Sequence, residues 1–218
     1  MLNEAMSDVH MPNFKFREYP MLEDEDPFGS PRIKDEIWTA FENQSKNAAG
    51  CTQLRHDPDL LDQTIKVLIY TPAELNTSVK KNQLKSALST LQNVMKMGKV
   101  QDPQQDILKS SSLPTLLINL LKSTLSHDLF TTASEVVADI IVCITELSKL
   151  FFTKAEGISP LFSKSIILTL TDIIKRADQP LSQLSALKAL GIFAGQACIV
   201  PTRCQSFFKD VLDNNIVG

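Results

Sequence analysis

Glycine is scarce in this chain, with 7 among 218 residues, and so are tryptophan, present once, and tyrosine, present twice. A phosphate-cradling loop needs several glycines close together so that backbone N–H groups can approach the anion, and aromatic-rich sheets need Tyr and Trp. The material for both is thin. Cysteine occurs four times, as Cys51, Cys143, Cys198 and Cys204, too scattered for the disulfide framework of a small secreted domain, so a reducing compartment is expected. Cys198 and Cys204 bracket Pro201 and are expected to be two buried, inert thiols, the alternative being that they approach each other.

The three histidines, His10, His56 and His127, fall in no His-x-x-x-His or Cys-x-x-Cys spacing, so no metal site is expected. A serine or cysteine nucleophile needs a base within hydrogen-bonding reach, and no Gly-x-Ser-x-Gly elbow occurs. His56-Asp57 and His127-Asp128 read as polar caps at helix starts. Close carboxylates such as Asp57 with Asp59 are solvated acids unless burial or a partner shifts their pKa. No catalytic residue and no cofactor is therefore expected, and the chain reads as a non-enzyme.

Long apolar runs are missing too. The most apolar stretch, residues 136–144, is interrupted by Asp139 and is far short of the roughly 20 residues needed for a membrane span. Residues 1–12 mix Glu4, Asp8 and His10 with few apolar side chains, unlike a secretory leader. Charge of one sign is absent, with 22 Lys plus Arg against 25 Asp plus Glu. Nucleic-acid binding wants a concentrated basic stripe, so nucleic acid is not the expected partner. The expected location is cytoplasmic, with nuclear or centrosomal and cytoskeletal sites as alternatives.

What the chain does have is an ordinary globular balance, 43% hydrophobic and 22% charged. Its first 36 residues differ from the rest, carrying nine acids and four bases for a net charge of -5, which leaves +2 elsewhere. They also hold Pro12, Pro20, Pro27 and Pro31 and show no apolar period. Residues 1–30 are accordingly expected to form a disordered acidic tail, and residues 31–218 a folded helical domain. Within the tail, Phe14, Phe16 and Tyr19 precede Glu23, Asp24, Glu25 and Asp26, with Phe28 following. Apolar anchors beside acids suit a linear motif that folds on a basic partner, the alternative being a plain spacer. Ser30, before Pro31, Arg32 and Lys34, is a candidate phosphorylation site at a helix start, where a phosphate gains from free N–H groups and the helix dipole.

Beyond the tail, proline marks helix starts at Ser30-Pro31, Asp57-Pro58, Asp102-Pro103, Ser159-Pro160 and Gln179-Pro180, and more weakly at Leu113-Pro114 and Val200-Pro201. Pro is tolerated at a first helical position because its missing N–H has no intrahelical partner there. Between these starts, apolar residues recur at steps of three and four, as in Ala133, Val136, Val137, Ile140, Ile141, Ile144 and Leu147, and again in Leu84, Ala87, Leu88, Leu91, Val94 and Met95. Shorter stripes run through Leu116, Leu117, Leu120 and Leu121, and through Ile166, Ile167, Leu170, Ile173 and Ile174. No period-two alternation is persuasive, so the fold class is all-α. Gly191 and Gly195, four apart on one helix, are expected in the core at a close helix approach.

Weak repetition links residues 91–96, 144–149 and 185–190. The clearest unit, Leu113 to Ser123 followed by Ala133 to Lys149, resembles the second and third helices of an armadillo repeat, and residues 158–196 resemble the same pair. The resemblance spans about residues 79–218, its pattern shared with HEAT repeats. It implies a right-handed α-solenoid whose third helices line a groove that binds extended segments of partner proteins. Successive Trp and Asn pairs of the importin-alpha branch are absent, as is the basic groove of the beta-catenin branch, so nuclear-import cargo is not the expected ligand.

The function expected from this resemblance is a protein-interaction adaptor or scaffold, with a regulatory factor docking on a folded enzyme or small GTPase as the alternative. Two polar ridges are candidates for partner contact: Lys81, Lys85, Gln92 and Lys96 on one helix, and Glu135, Asp139 and Glu146 on another. At the C-terminus, Arg203, Phe207, Phe208, Val211 and Leu212 resemble the first helix of a further unit, so the array is expected to end mid-repeat. Further repeats, another protein or a second copy would cover that end.

Overall fold

The computed structural model describes residues 31–69, 78–97, 108, 112–126, 134–151, 163–176, 179–199 and 201–213. Among the described residues there are nine α-helices and no strand: α1 Pro31–Gln44, α2 Ala48–Arg55, α3 Pro58–Leu68, α4 Ser78–Met97, α5 Ser112–Ser126, α6 Ser134–Phe151, α7 Lys164–Lys175, α8 Pro180–Ala197 and α9 Pro201–Leu212. The all-α expectation is met by them.

Proline opens α1, α3, α8 and α9, while Pro114 is the third residue of α5. Pro103 and Pro160 lie outside the described residues. At α3 the cap works as the sequence implies, since the Asp57 carboxylate accepts from the Asp59 N–H at 2.9 Å. His56 instead closes the preceding helix as the C-cap of α2, its N–H donating to the Gln53 carbonyl.

Helix α2 has no proline start. It is set by Asn47, whose side-chain oxygen accepts from the Gly50 N–H at 2.8 Å. Gly50 is where α2 meets the end of α1 most closely: a Cβ there would fall onto the Gln44 carbonyl oxygen and lie 2.9 Å from both the Gln44 carbonyl carbon and its Cγ. Gly50→Ala is expected to cost about 1 to 3 kcal/mol by overpacking. Urea unfolding checks this as a lowered midpoint at unchanged slope, and an unmoved midpoint would mean the α1–α2 corner yields freely.

Four helices form a row in chain order, α1 against α4, α4 against α6, and α6 against α8. The others pack onto this row: α2 on α1 and α4, α3 on α4 and α5, α5 on α6, α7 on α8, and α9 on both α7 and α8. Side-chain hydrogen bonds tie neighbours in the row together. From α4, Ser89 Oγ donates to Glu42 Oε1 of α1 and Asn93 Nδ2 to Ser45 Oγ in the turn that follows α1, Gln92 Nε2 donates to Asp139 between α4 and α6, and Ser182 Oγ donates to the Ser134 carbonyl between α8 and α6. In each case the partners are 47 or 48 residues apart in sequence.

The apolar stripes are the core. Every residue of the α4 stripe is buried, as are Val136, Val137, Ile140, Ile141, Ile144 and Leu147 of α6. Leu117, Leu120 and Leu121 of α5 and Ile166, Ile167, Leu170 and Ile173 of α7 join them, with Leu116 and Ile174 half-buried. Each such side chain contributes about 1.5 to 3 kcal/mol by leaving water. At the α1 end, Trp38 and Phe41 are buried with their rings edge to face, centroids 5.5 Å apart.

Helix α8 breaks the pattern. It buries Ala186, Ala189, Phe193 and Ala197, yet Leu181, Leu184 and Leu187 remain 56%, 50% and 51% exposed. Gly191 and Gly195 lie on this exposed side, and a Cβ added at either would meet nothing within 4 Å. This corrects the expectation that the two glycines mark a close helix contact in the core. The side of α8 that carries them is covered by no other helix among the described residues.

Candidate functional site

The two ridges singled out from sequence come from adjacent helices and meet. Lys85 Nζ on α4 donates to Glu135 Oε2 on α6 at 2.6 Å. The Lys85 hydrogen bond and its charge hold the Glu135 carboxyl below its ordinary range, with Lys81 adding to the same effect, and the reciprocal bond raises Lys85. Two turns further along, Gln92 Nε2 lies 3.4 Å from both the Asp139 carbonyl oxygen and its Oδ1, and donates to them. Lys96 is exposed beside this pair, its charge favouring ionised Asp139. Glu146, on the same face of α6, accepts from Lys149 of its own helix at 2.7 Å.

An exposed ion pair of this kind contributes only about 0 to 1 kcal/mol, because solvent screens it and two long side chains must be held still. Lys85 and Glu135 are therefore easily exchanged for the charges of another molecule, which a buried pair would not be. Lys81, Lys85, Gln92 and Lys96, with Glu135 and Asp139 opposite, make one continuous polar strip along the α4–α6 seam.

Asp139 is the least ordinary member. Burial is the largest influence on its carboxyl and raises its pKa, with Glu135 pushing the same way, while the Gln92 bond and the charges of Lys85 and Lys96 pull it down. A carboxyl whose folded pKa is raised binds its proton more tightly folded than unfolded, so ionising it opposes folding. That penalty is absent below the ordinary value of 3.8, grows as pH rises through the raised value, and is complete at neutral pH. Asp139→Asn, which keeps an acceptor for Gln92, is expected to raise stability at pH 7 and to match the parent as pH falls toward 3.8. Paired denaturation curves across that range check it. A less stable Asp139→Asn protein at pH 7 would mean that the lysines outweigh burial.

Cys143, one turn from Asp139, is fully buried with its thiol donating to the Leu88 carbonyl at 3.4 Å, and burial pushes its pKa far up. It is a packing residue rather than a nucleophile.

The other edge of α4 is also polar. Ser89 and Asn93 face Glu42 of α1 and Ser45 in the turn that follows it, at 3.4 and 3.1 Å. Sequence reasoning passed over these four because they are uncharged or isolated, and no signal in the sequence pairs them across 47 or 48 residues. It also passed over the exposed row Leu181, Leu184 and Leu187, because α8 is apolar on both sides and offers no contrast from which to choose the buried one.

The remaining candidates divide by position. Phe14, Phe16, Tyr19, Phe28 and Ser30 lie outside the described residues, as do His10 and the His127-Asp128 pair. Phe207 of α9 is buried against Phe208 in an edge-to-face contact, and Phe208 and Leu212 are exposed, so the C-terminal helix presents apolar surface as its sequence implies. Among the described residues, no group of three or more His, Cys, Asp or Glu could hold a metal ion, and no helix is long and apolar enough to cross a membrane. No family model matches the chain, and no curated protein or solved structure matches it either.

Proposed function

We propose that this protein is a non-enzymatic adaptor: an armadillo-like or HEAT-like right-handed helical array that binds segments of partner proteins along the row α1, α4, α6 and α8. The observation that carries this reading is the row itself, α1, α4, α6 and α8 packed side by side in chain order, with hydrogen-bonded neighbours 47 to 55 residues apart. Stacked units of about 40 to 47 residues, each burying its apolar face on the next, are the signature of armadillo and HEAT arrays, and these separations lie at or somewhat above that range. Such arrays present the side chains of successive long helices to a ligand, and here that strip is Lys81, Lys85, Gln92 and Lys96 against Glu135 and Asp139. Glu146, engaged by Lys149, borders it. Extended segments carrying both charges suit this strip, since each can replace one half of a weak surface pair. The four free thiols fit a reducing, cytoplasmic setting.

A second reading is favoured by the exposed leucines of α8. A regulatory factor that docks end-on against a folded enzyme or small GTPase would use a compact apolar face such as Leu181, Leu184 and Leu187 rather than a polar seam.

Crosslinking mass spectrometry on partners captured from cells separates the readings. Extended segments joined through Lys81, Lys85 and Lys96 are expected for the adaptor, with affinity falling more than about tenfold in a Lys85→Glu, Lys96→Glu protein and unaffected by Leu184→Asp. One folded partner bridged around α8, with the opposite mutational pattern, supports the regulator. Turnover of a substrate that His56 substitution abolishes would overturn both.

A further inference from the structure

Away from the polar seam, two thiols lie against each other. Cys198 caps the C-terminus of α8 and is exposed, Cys204 is the fourth residue of α9 and half-buried, and their sulfurs are 3.2 Å apart. This corrects the expectation that the two thiols are buried, and it is the alternative, their approach to each other, that the structure has. Tertiary packing causes the difference: α9 folds back on both α7 and α8, which brings its first turn beside the end of α8. A disulfide has its sulfurs about 2.05 Å apart, so closing the pair needs only about an ångström of movement at the end of an exposed helix. Cys51 and Cys143 offer no such opening, being fully buried with thiols donating to the Ser45 and Leu88 carbonyls.

We propose that Cys198 and Cys204 are a redox-active dithiol, a modification site for low-molecular-weight disulfides such as oxidised glutathione, whose oxidation staples α9 to the end of α8. The order of attack follows from exposure. Cys198 is the sulfur that solution reaches, and the bond with Cys198 is the first cause holding the Cys204 thiol protonated above its ordinary range. Cys198 as thiolate attacks one sulfur of the small disulfide, whose S–S bond breaks and releases one small thiol carrying the Cys198 proton. Cys204, giving up its proton, then attacks Cys198 in the mixed disulfide, and the second small thiol leaves with that proton. Two protein thiols are oxidised to one disulfide, one small disulfide is reduced to two thiols, and no other reagent is needed.

The bridge would close across the five residues 199–203 and fix α9, which packs on α7 and α8 and carries the Lys164–Asp210 ion pair at 3.3 Å. Ile199, beside Cys198 in sequence, and Phe208, one turn on from Cys204 in α9, are both exposed. Oxidation would thus set whether this apolar surface is rigid or adaptable.

The test uses the full chain in a buffer of reduced and oxidised glutathione at varied ratio, with intact mass, non-reducing peptide mapping and thiol counting. The untreated native protein is expected to show two rapidly reacting thiols and two that react only after denaturation. Treatment should remove both fast thiols and yield one intramolecular Cys198–Cys204 peptide pair, with amide exchange across residues 207–212 slowed about tenfold. Cys204→Ser should trap glutathione on Cys198, and Cys198→Ser should form no intramolecular bridge and take up glutathione more slowly. Stable glutathione on Cys198 of the parent protein, bridges between two copies, or no reaction in fully oxidised buffer would overturn the proposal. Unchanged exchange across α9 in the bridged protein would overturn the stapling.

Discussion

Ile141→Ala is expected to lower the free energy of unfolding by about 2 to 5 kcal/mol, the range for removing a large aliphatic side chain from a closed core. Ile141 is fully buried in the middle of α6, the helix packed by α4, α5 and α8. Neighbours approaching from three helices cannot all collapse into the space left, so the loss of transfer energy is joined by an unrelaxed cavity. Glu146→Ala, five residues on, removes a carboxylate whose partner is the exposed Lys149 of the same helix, and is expected to cost no more than about 1 kcal/mol. Chemical denaturation of the two proteins at equal slope decides the matter. Similar small losses for both would show that the stripe of α6 does not face the core.

Arg55→Ala is expected to be as damaging, at about 3 to 5 kcal/mol, although arginine is seldom a core residue. Arg55 is only 2% exposed, and its Nη1 donates to the Val94 carbonyl of α4 at 3.3 Å. Its long stem fills space between α2 and α4, and its head brings a donor to a buried carbonyl. Alanine removes both. Arg55→Met keeps most of the volume and loses the donors, so it divides the two contributions: a loss much smaller than that of Arg55→Ala assigns the effect to packing, and an equal loss assigns it to the guanidinium. A fully stable Arg55→Ala protein would mean that the α2–α4 contact closes over the gap.

The burial of Arg55 marks where sequence reasoning stopped. It stands at the last position of a short helix, beside His56 and Asp57, where a solvated cation complementing the helix dipole is the ordinary expectation. Only the position of α4, whose Val94 is 39 residues further on, turns that site inward. The candidate strip shows the opposite case. Lys81, Lys85, Gln92 and Lys96 were legible because they recur at helical spacing, and so were Glu135, Asp139 and Glu146. Their meeting across the seam was not, since nothing local relates Lys85 to Glu135, 50 residues away.

The meeting of the two thiols was only an alternative in the sequence, and the leucine row of α8 was not read from it, for related reasons. Cysteine spacing across Pro201 leaves the path of the turn open, and a helix with leucine and alanine on every side does not declare which side is covered. What the sequence by itself determined is therefore local. It determined the helical state of the described segments, because proline starts and three-and-four apolar steps act within a few residues. It also determined the buried faces of α4, α6 and α7, where apolar and polar sides contrast. Tertiary structure alone decided the order of the row, the inward turn of Arg55, the exposed side of α8 and the meeting of Cys198 with Cys204. Each of these depends on which helix lies alongside which. That choice is made by the fit of whole apolar faces, because a single residue's preference is too weak to specify a neighbour so far along the chain.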